Sequence, residues 1–182
     1  MRQKRKTFFS SDHHLFHTRI VNDMGRKQFS SIQEHNEYII DRHNSVVSPN
    51  DVCKFLGDFI LELQDLSLIE ETIAKFNGVK HLILGNHDTP ARIKEYVKFF
   101  DKVMAYDTAG YKDNRKADII VSHVPVHPCN LTERFKYNVH GHLHEYFVPD
   151  DPRYMCVSLE QIDFTPISLE EVLEKFNNET NV

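Results

Sequence analysis

The chain is predicted to be an α/β protein built on two mixed sheets, and three observations carry that expectation. Short apolar runs alternate with amphipathic helical segments through the first hundred or so residues, and strand-like runs then follow one another with little helix between them. A purely parallel sheet would keep the alternation to the end, so a two-sheet α/β sandwich is favoured. Several strand-like runs also stop at a glycine followed by polar residues, at Gly57, Gly85 and Gly141. Turns of this kind lie at the carboxyl ends of strands, where short loops present side chains from a rigid base.

Taken in order, Thr7-Phe8-Phe9-Ser10 is a short strand that delivers Asp12 at its end. Ser31-Ile32-Gln33-Glu34 has the S-x-x-E spacing of a capping box and opens a helix to about Val46. Val52 to Leu56 is a strand closed by Gly57-Asp58. From Asp65 to Asn77 the apolar residues Leu66, Ile69, Ile73 and Phe76 recur at helical spacing, and Gly78 follows as a C′ glycine. His81 to Leu84 is the next strand, closed by Gly85. Thr89-Pro90 starts a helix with proline in the first turn, where its missing N–H costs nothing. Residues 102–107 and 118–122 read as strands, joined by a polar segment with Gly110, Asp113 and Asn114. Tyr137 to His140 leads into Gly141. Tyr154 to Leu159 and Gln161 to Phe164 read as a closing hairpin, and Ser168 to Glu171 caps a last helix to about Asn177.

A length of 182 residues with 40% hydrophobic content is expected to form a single domain over residues 1–182, with residues 1–6 as a basic tail. The net charge of −5 argues against stable duplex binding, which needs many phosphates neutralised by Lys and Arg. Cys53, Cys129 and Cys156 are widely spaced and form no C-x-x-C, so they read as small apolar residues in a reduced cytoplasm. No apolar run approaches the length of a membrane span, and MRQKRK has no hydrophobic segment behind it, so neither a membrane partner nor a signal peptide is expected.

Five blocks carry metal-ligating chemistry: Asp12-His13-His14, Gly57-Asp58, Gly85-Asn86-His87-Asp88, Ser122-His123, and Gly141-His142-Leu143-His144. Together they offer Asp12, Asp58, Asn86, His14, His123, His142 and His144 as oxygen and nitrogen donors, a mixture that suits a pair of borderline divalent cations. An i, i+2 pair in extended chain puts both side chains on one side, as for Asp12 with His14 and His142 with His144. Alone, either pair reads as solvated surface; jointly the blocks read as a metal site. Asp58 is the natural bridge, because two carboxylate oxygens can hold cations about 3.5–4 Å apart. His17 reads either as a contact to substrate phosphate or as a plain loop residue. Arg26 offers a guanidinium that can bind phosphate oxygens bidentately. His127 and His140 lie near ligand loops, whereas His13, His35, His43 and His81 carry no signal.

In this order the blocks spell D-x-H, G-D, G-N-H-D, an isolated His and G-H-x-H, and over residues 12–144 they resemble the calcineurin-like metallophosphoesterase superfamily with every ligand position filled. The resemblance implies a four-layer α-β-β-α sandwich and two divalent ions, Mn²⁺ first, with Zn²⁺, Fe or Ni²⁺ as other occupants. It implies that one ion takes Asp12, His14, Asp58 and His144, and the other Asp58, Asn86, His123 and His142. His87 resembles the family's catalytic histidine, which contacts phosphate and protonates the leaving oxygen while hydroxide held between the metals attacks. Asp88 is expected to orient His87 or a ligand, or to cap the following helix, and both roles stay open. The implied activity is hydrolysis of phosphate esters, with small diesters such as nucleotides or short single-stranded nucleic acid as substrates and a phosphomonoesterase as the alternative.

The departures matter too. The superfamily's Ser/Thr protein phosphatases carry G-D-x-V-D-R-G and G-N-H-E. Here Gly57-Asp58 continues as Phe59-Ile60-Leu61-Glu62 and the third block ends in Asp88, so a phosphoprotein substrate is not expected. Asp12-His13-His14 also spells the opening of the DHH phosphoesterases, and His87-Asp88 that of the HD phosphohydrolases. The first lacks its companion motifs, and the second would place His-Asp inside a helix. A non-catalytic scaffold of the same fold is the rival from another class, and it would show eroded ligands.

Overall fold

Alternate side chains of single strands divide between two cores, and that division explains the architecture of the computed structural model, which describes residues 5–23, 25–62, 65, 67–110 and 118–179. The elements are β1 (Thr7–Ser10), α1 (Thr18–Asn22), α2 (Ile32–Val46), β2 (Val52–Phe55), α3 (Ser67–Ala74), β3 (Val79–Ile83), α4 (Pro90–Phe99), β4 (Lys102–Met104), β5 (Asp107–Ala109), β6 (Ile119–Val121), β7 (Tyr137–His140), β8 (Tyr154–Cys156), β9 (Ile167–Ser168) and α5 (Leu169–Glu179). The first sheet has the order β4-β3-β2-β1-β9 and the second β5-β6-β7-β8. Each is parallel except for one edge strand, β9 in the first and β5 in the second. The chain is thus an α/β protein with two mixed sheets.

Phe8, Cys53, Phe55 and Leu82 point to one face of the first sheet and pack with Ile39 of α2, Ile69 and Ile73 of α3, and Tyr96 of α4. Their neighbours Phe9, Leu56 and Ile83 point the other way and meet Ile119, Val121, Val139 and Met155 of the second sheet. This is the period-2 alternation of a strand buried on both faces. Helix α5 adds Val172 and Phe176 to the core between the sheets, with Phe176 stacked on Tyr137 at 4.3 Å. A buried lysine also ties the sheets: Lys54 Nζ lies 2.7 Å from Asp107 Oδ2 and donates to Thr108 O. On the outer face of the second sheet, Asn138 is fully buried and Val126 N donates to its Oδ1. Tyr154 donates its hydroxyl to Val126 O, so the segment after His123 lies over that face.

Local expectations hold at both capping serines. Ser31 Oγ accepts from Glu34 N, although the Glu34 carboxylate reaches Ser30 N and Ser30 Oγ rather than Ser31. Ser168 and Glu171 cap reciprocally, N–H to side chain in both directions. Pro90 sits in the first turn of α4. Gly78 adopts φ +96° in the turn into β3, after α3 has ended at Ala74. Two expectations fail. The run 102–107 is not one strand; β4 pairs with β3, Ala105-Tyr106 cross over, and β5 opens the second sheet. No hairpin closes the chain, because after β8 the backbone pairs with Ser11, which donates to Val157 O and accepts from Leu159 N. Those peptide groups have no capacity left for a hairpin, and the chain turns through a 3-10 segment at Leu159–Ile162 to β9. Of the basic start, Arg5 Nε donates to Asn50 O and Lys6 N to Asp51 Oδ1 rather than being free of the fold. Leu66, Asp113 and Asn114 lie outside the described residues. The three cysteines are unpaired, and no helix among the described residues is long and apolar enough to cross a membrane.

Candidate metal centre

All five motif blocks follow the carboxyl ends of strands: β1 leads to Asp12, β2 to Asp58, β3 to Asn86, β6 to His123, and β7 to His142 and His144. The two sheets meet there, through the bridge between Ser11 and Ser158. The local backbone is unusual. Asp12, His14, Asp58, His142 and His144 all have positive φ, at 59°, 50°, 52°, 69° and 51°. Left-handed conformations cost L-residues about 1–3 kcal/mol each and persist where the surroundings over-determine them, often at functional sites. The expectation of an extended D-x-H pair is therefore corrected. Asp12 and His14 share a side because alternate residues are left-handed, and His13 between them turns away into aromatic rings, 5.2 Å from Phe55 and 5.1 Å from Phe59. The loops also approach closely at Gly57, where a Cβ would lie 2.6 Å from Gly85 Cα and 2.7 Å from His123 Nδ1.

The predicted donors converge. Asp12 Oδ1 lies 3.9 Å from His14 Nε2 and 3.8 Å from His144 Nε2. Asp58 Oδ2 lies 3.9 Å from His14 Nε2 and 3.4 Å from His123 Nε2. His123 Nε2 is 2.8 Å from Asn86 Oδ1, and the His142 ring is 5.2 Å from that of His123. Two groups have donors all within 4.8 Å of one another, Asp12 with His14 and His144, and Asp12 with Asp58 and His123. Asp12 joins both groups, while Asp58 Oδ2 faces both His14 and His123.

These residues fit a divalent cation on grounds internal to the site. Asp12 Oδ1 and both ring nitrogens of His14 are buried without a hydrogen-bond partner. Each such atom costs about 1–3 kcal/mol, which a bound cation would offset at Asp12 Oδ1 and His14 Nε2. Separations of 3.4–3.9 Å are too long for hydrogen bonds and near the ligand–ligand edge of about 3.0–3.4 Å around an ion with bonds of about 2.1 Å. Burial pushes the Asp12 carboxyl up, but His14, His123 and His144 outweigh it and hold the group ionised, well below the usual carboxylate range. Asp58 is lowered too: His123 and the His87 N–H outweigh its burial. His123 Nδ1 donates to Leu56 O at 2.6 Å and His144 Nδ1 to Glu160 Oε1 at 3.0 Å, so each turns Nε2 toward the site.

His87 sits at the mouth. Its N–H donates to Asp58 Oδ1, its carbonyl accepts from Arg92 Nη1, and its half-exposed ring places Nε2 4.0 Å from Asp58 Oδ2. Asp88 does not cap the following helix, and it bears on the ligand Asp58 through the backbone. Its Oδ2 accepts from Gly85 N at 2.7 Å and from Asp58 N at 3.2 Å, tying two ligand loops together, while Thr89 is the N-cap of α4. Burial, with the neighbouring Asp58, pushes its carboxyl up to about 6. His17 is buried and stacked on His14 at 5.4 Å, with Nε2 3.8 Å from Glu62 Oε1. His140 donates to Gly141 O, and His127 accepts from Cys129 N in an exposed turn.

Arg26 is a correction. It is fully buried, and its guanidinium is occupied by Asp12 O, His13 O, His35 and Glu160, which leaves no face for a phosphate. Glu160, which no motif marks, is the residue that the sequence reading missed. The only hint was its neighbourhood, a polar residue between apolar ones shortly after G-H-x-H.

No protein-family model matches the chain. It is 31% identical over 177 residues to the protein MJ1445 of Methanocaldococcus jannaschii, described as uncharacterized, across 93% of this chain and 90% of that one. The gene 66 protein of Mycobacterium phage L5 is 27% identical over 169 residues, across 76% and 77% of the two chains. Among solved structures, AQ665 from Aquifex aeolicus, described as a protein of unknown function, aligns with a TM-score of 0.71 at 26% identity, covering 94% of this chain and 99% of that one.

Proposed function

The chain belongs to the family of the Methanocaldococcus jannaschii protein MJ1445, and we propose that its site is a dinuclear centre that hydrolyses phosphate esters, in a calcineurin-like metallophosphoesterase with a four-layer sandwich. The observation that carries this reading is the convergence of Asp12, His14, Asp58, His123 and His144, with Asp12 Oδ1 and His14 Nε2 buried and unpartnered at its centre. Divalent cations bound there, Mn²⁺ first, would activate water near neutral pH and neutralise charge on the phosphoryl oxygens.

The chain's own residues do the rest. Asp12, His14, Asp58 and His144 would hold one cation; Asp58, Asn86, His123 and His142 would hold the other. His87, accessible and clamped through both its backbone groups, gives a proton to the leaving oxygen, which an alkoxide requires. Asp88 keeps the Gly85 and Asp58 loops in register through its two accepted hydrogen bonds.

The preferred substrate is a small phosphodiester of the nucleotide type. Tyr146 and Phe147 are 69% and 72% exposed and follow His144 by two and three residues, within a Cα path of about 7–11 Å. Gln161 Nε2 donates to the carbonyls of His144 and Tyr146 and holds that turn in place. Two accessible aromatic faces at that distance suit stacking of a nucleobase. The unpaired cysteines suit a cytoplasmic setting.

The test is elemental analysis of unchelated protein, followed by hydrolysis of bis-p-nitrophenyl phosphate and p-nitrophenyl phosphate, then of dinucleotides and nucleoside monophosphates, all with Mn²⁺. About two cations per chain and faster diester cleavage are expected. Trace metal with no activation by Mn²⁺ or Ni²⁺ removes the metal reading. A clear monoester preference in both substrate pairs replaces diesterase with monoesterase.

A further inference from the structure

We infer that Arg26 and Glu160 form a positioning brace for one of the two cations: they lock the Asp12–His14 loop to the His142–His144 loop and aim His144 into the site. This rests on the metal reading above.

Arg26 uses its whole fork. Nη2 donates to Asp12 O at 2.5 Å, Nη1 to His13 O at 3.0 Å and to His35 Nε2 at 2.9 Å, and Nε to Glu160 Oε1 at 2.9 Å. A rigid planar group that grips two consecutive carbonyls fixes the peptide between them, and with it the left-handed turn at Asp12. Burying a guanidinium costs several kcal/mol unless it is paired and hydrogen-bonded, so the position demands this network. Glu160 Oε1 is shared; it accepts from Arg26 Nε and from His144 Nδ1 at 3.0 Å. The second bond fixes the His144 tautomer and ring angle, with Nε2 left 3.8 Å from Asp12 Oδ1.

The brace is one-sided. It touches Asp12, His13 and His144, whereas His123 is oriented by Leu56 O, and the backbone N–H groups of Asp58 and Gly85 are held by Asp88. Asp12 stands in both donor groups, but the brace does not touch the side chains of Asn86, His123 or His142, so its loss should weaken chiefly the cation held by Asp12, His14 and His144 and much less the other. A role in stability alone would not divide the two.

The experiment is calorimetric titration of chelated, dialysed full-length protein with Mn²⁺ and with Zn²⁺, beside the melting temperature of the metal-free form. Wild type is expected to bind two ions. Glu160→Gln keeps an oxygen for His144 Nδ1 but loses the charge, and should bind one ion roughly tenfold more weakly; Glu160→Ala should approach 100-fold. The other ion should stay within about threefold. Arg26→Lys keeps charge without the fork and should weaken the same ion. Equal weakening of both ions, or of neither, overturns the brace while leaving the metal centre intact. A wild type that binds no metal overturns both. If Glu160→Ala fails to fold, the near-isosteric Glu160→Gln decides.

Discussion

The aromatic core beneath β2 and the loop cluster at its carboxyl end are both rich in buried histidine, and they use the residue in opposite ways. In the core, His13 packs against Phe55, Phe59 and Phe76, and His43 stacks on Phe55 at 5.5 Å and donates to Asn77 O. Burial pushes His43 and His35 down to about 4 and His13 well below its ordinary value, so these rings are neutral structural groups. In the loop cluster, carboxylates face the rings: Asp58 beside His123 and Glu160 beside His144 outweigh burial and push both histidines up. His14 is as buried as the core rings yet has neither nitrogen satisfied. Burial does not separate the two populations. What faces the ring nitrogens does; backbone handedness follows it only in part, since His14, His142 and His144 are left-handed, while His123 of the same cluster, like His13, His35 and His43, is not.

The largest test of this contrast is His87→Ala, which should keep both metals and change folding stability by less than about 1 kcal/mol while losing roughly 10²–10⁴-fold in rate. The deficit should be smaller for p-nitrophenyl esters than for alkyl esters; equal deficits would assign the ring to phosphate positioning. Adjacent substitutions sharpen the comparison next. His13→Ala should cost about 3 kcal/mol in urea unfolding by opening a core cavity, with metal stoichiometry unchanged. His14→Ala should do the reverse, losing metal while the metal-free protein moves by about 1 kcal/mol or less. If both lose metal equally, the two populations are not distinct.

Acid separates the regions by sign. The folded pKa of His43, about 4, lies below its ordinary 6.5, so the folded state binds fewer protons than the unfolded one. Its contribution is complete above about pH 6.5 and is lost as pH falls toward 4, by up to about 3 kcal/mol at about 1.4 kcal/mol per unit. In metal-free protein, His43→Gln should flatten that part of the decline between pH 7 and 4.5, and an unchanged slope would place the titration elsewhere. The smallest effect is at the rim. Tyr146→Ser or Phe147→Ser should leave stability within about 0.5 kcal/mol and raise KM for a dinucleotide roughly five- to tenfold, the loss of one stacked base. No change in KM would detach these rings from the substrate.

Much of this organisation was legible in the sequence because it is local. The S-x-x-E boxes at Ser31 and Ser168, the proline opening α4, and the five blocks at strand ends involve residues within a few positions of each other. The failures are long-range. The β4–β5 division depends on β3 claiming one partner and β6 the other, and the absent hairpin on Ser11 using the peptide groups after Cys156. Arg26 read as a phosphate ligand because a guanidinium suits phosphate and backbone carbonyls alike; the carbonyls of Asp12 and His13, His35, and Glu160, 134 residues away, occupy it instead. His13 and His14 differ in fate through a torsion that no pattern of residue types displays.

The two-residue strand β9 sets an order of assembly. Its antiparallel pairing with Phe8 and Phe9 closes an edge of β1 that stays open until the last fifth of the chain has been made. The Ser158 hydroxyl that binds Asp12 Oδ2, and the Glu160 carboxylate that binds His144, arrive in the same late stretch. A ribosome that has already delivered every predicted donor has therefore delivered neither a finished sheet nor a finished pocket. During synthesis, β1 can pair with β2 on one side early, but its other edge stays open for more than a hundred residues until β9 docks.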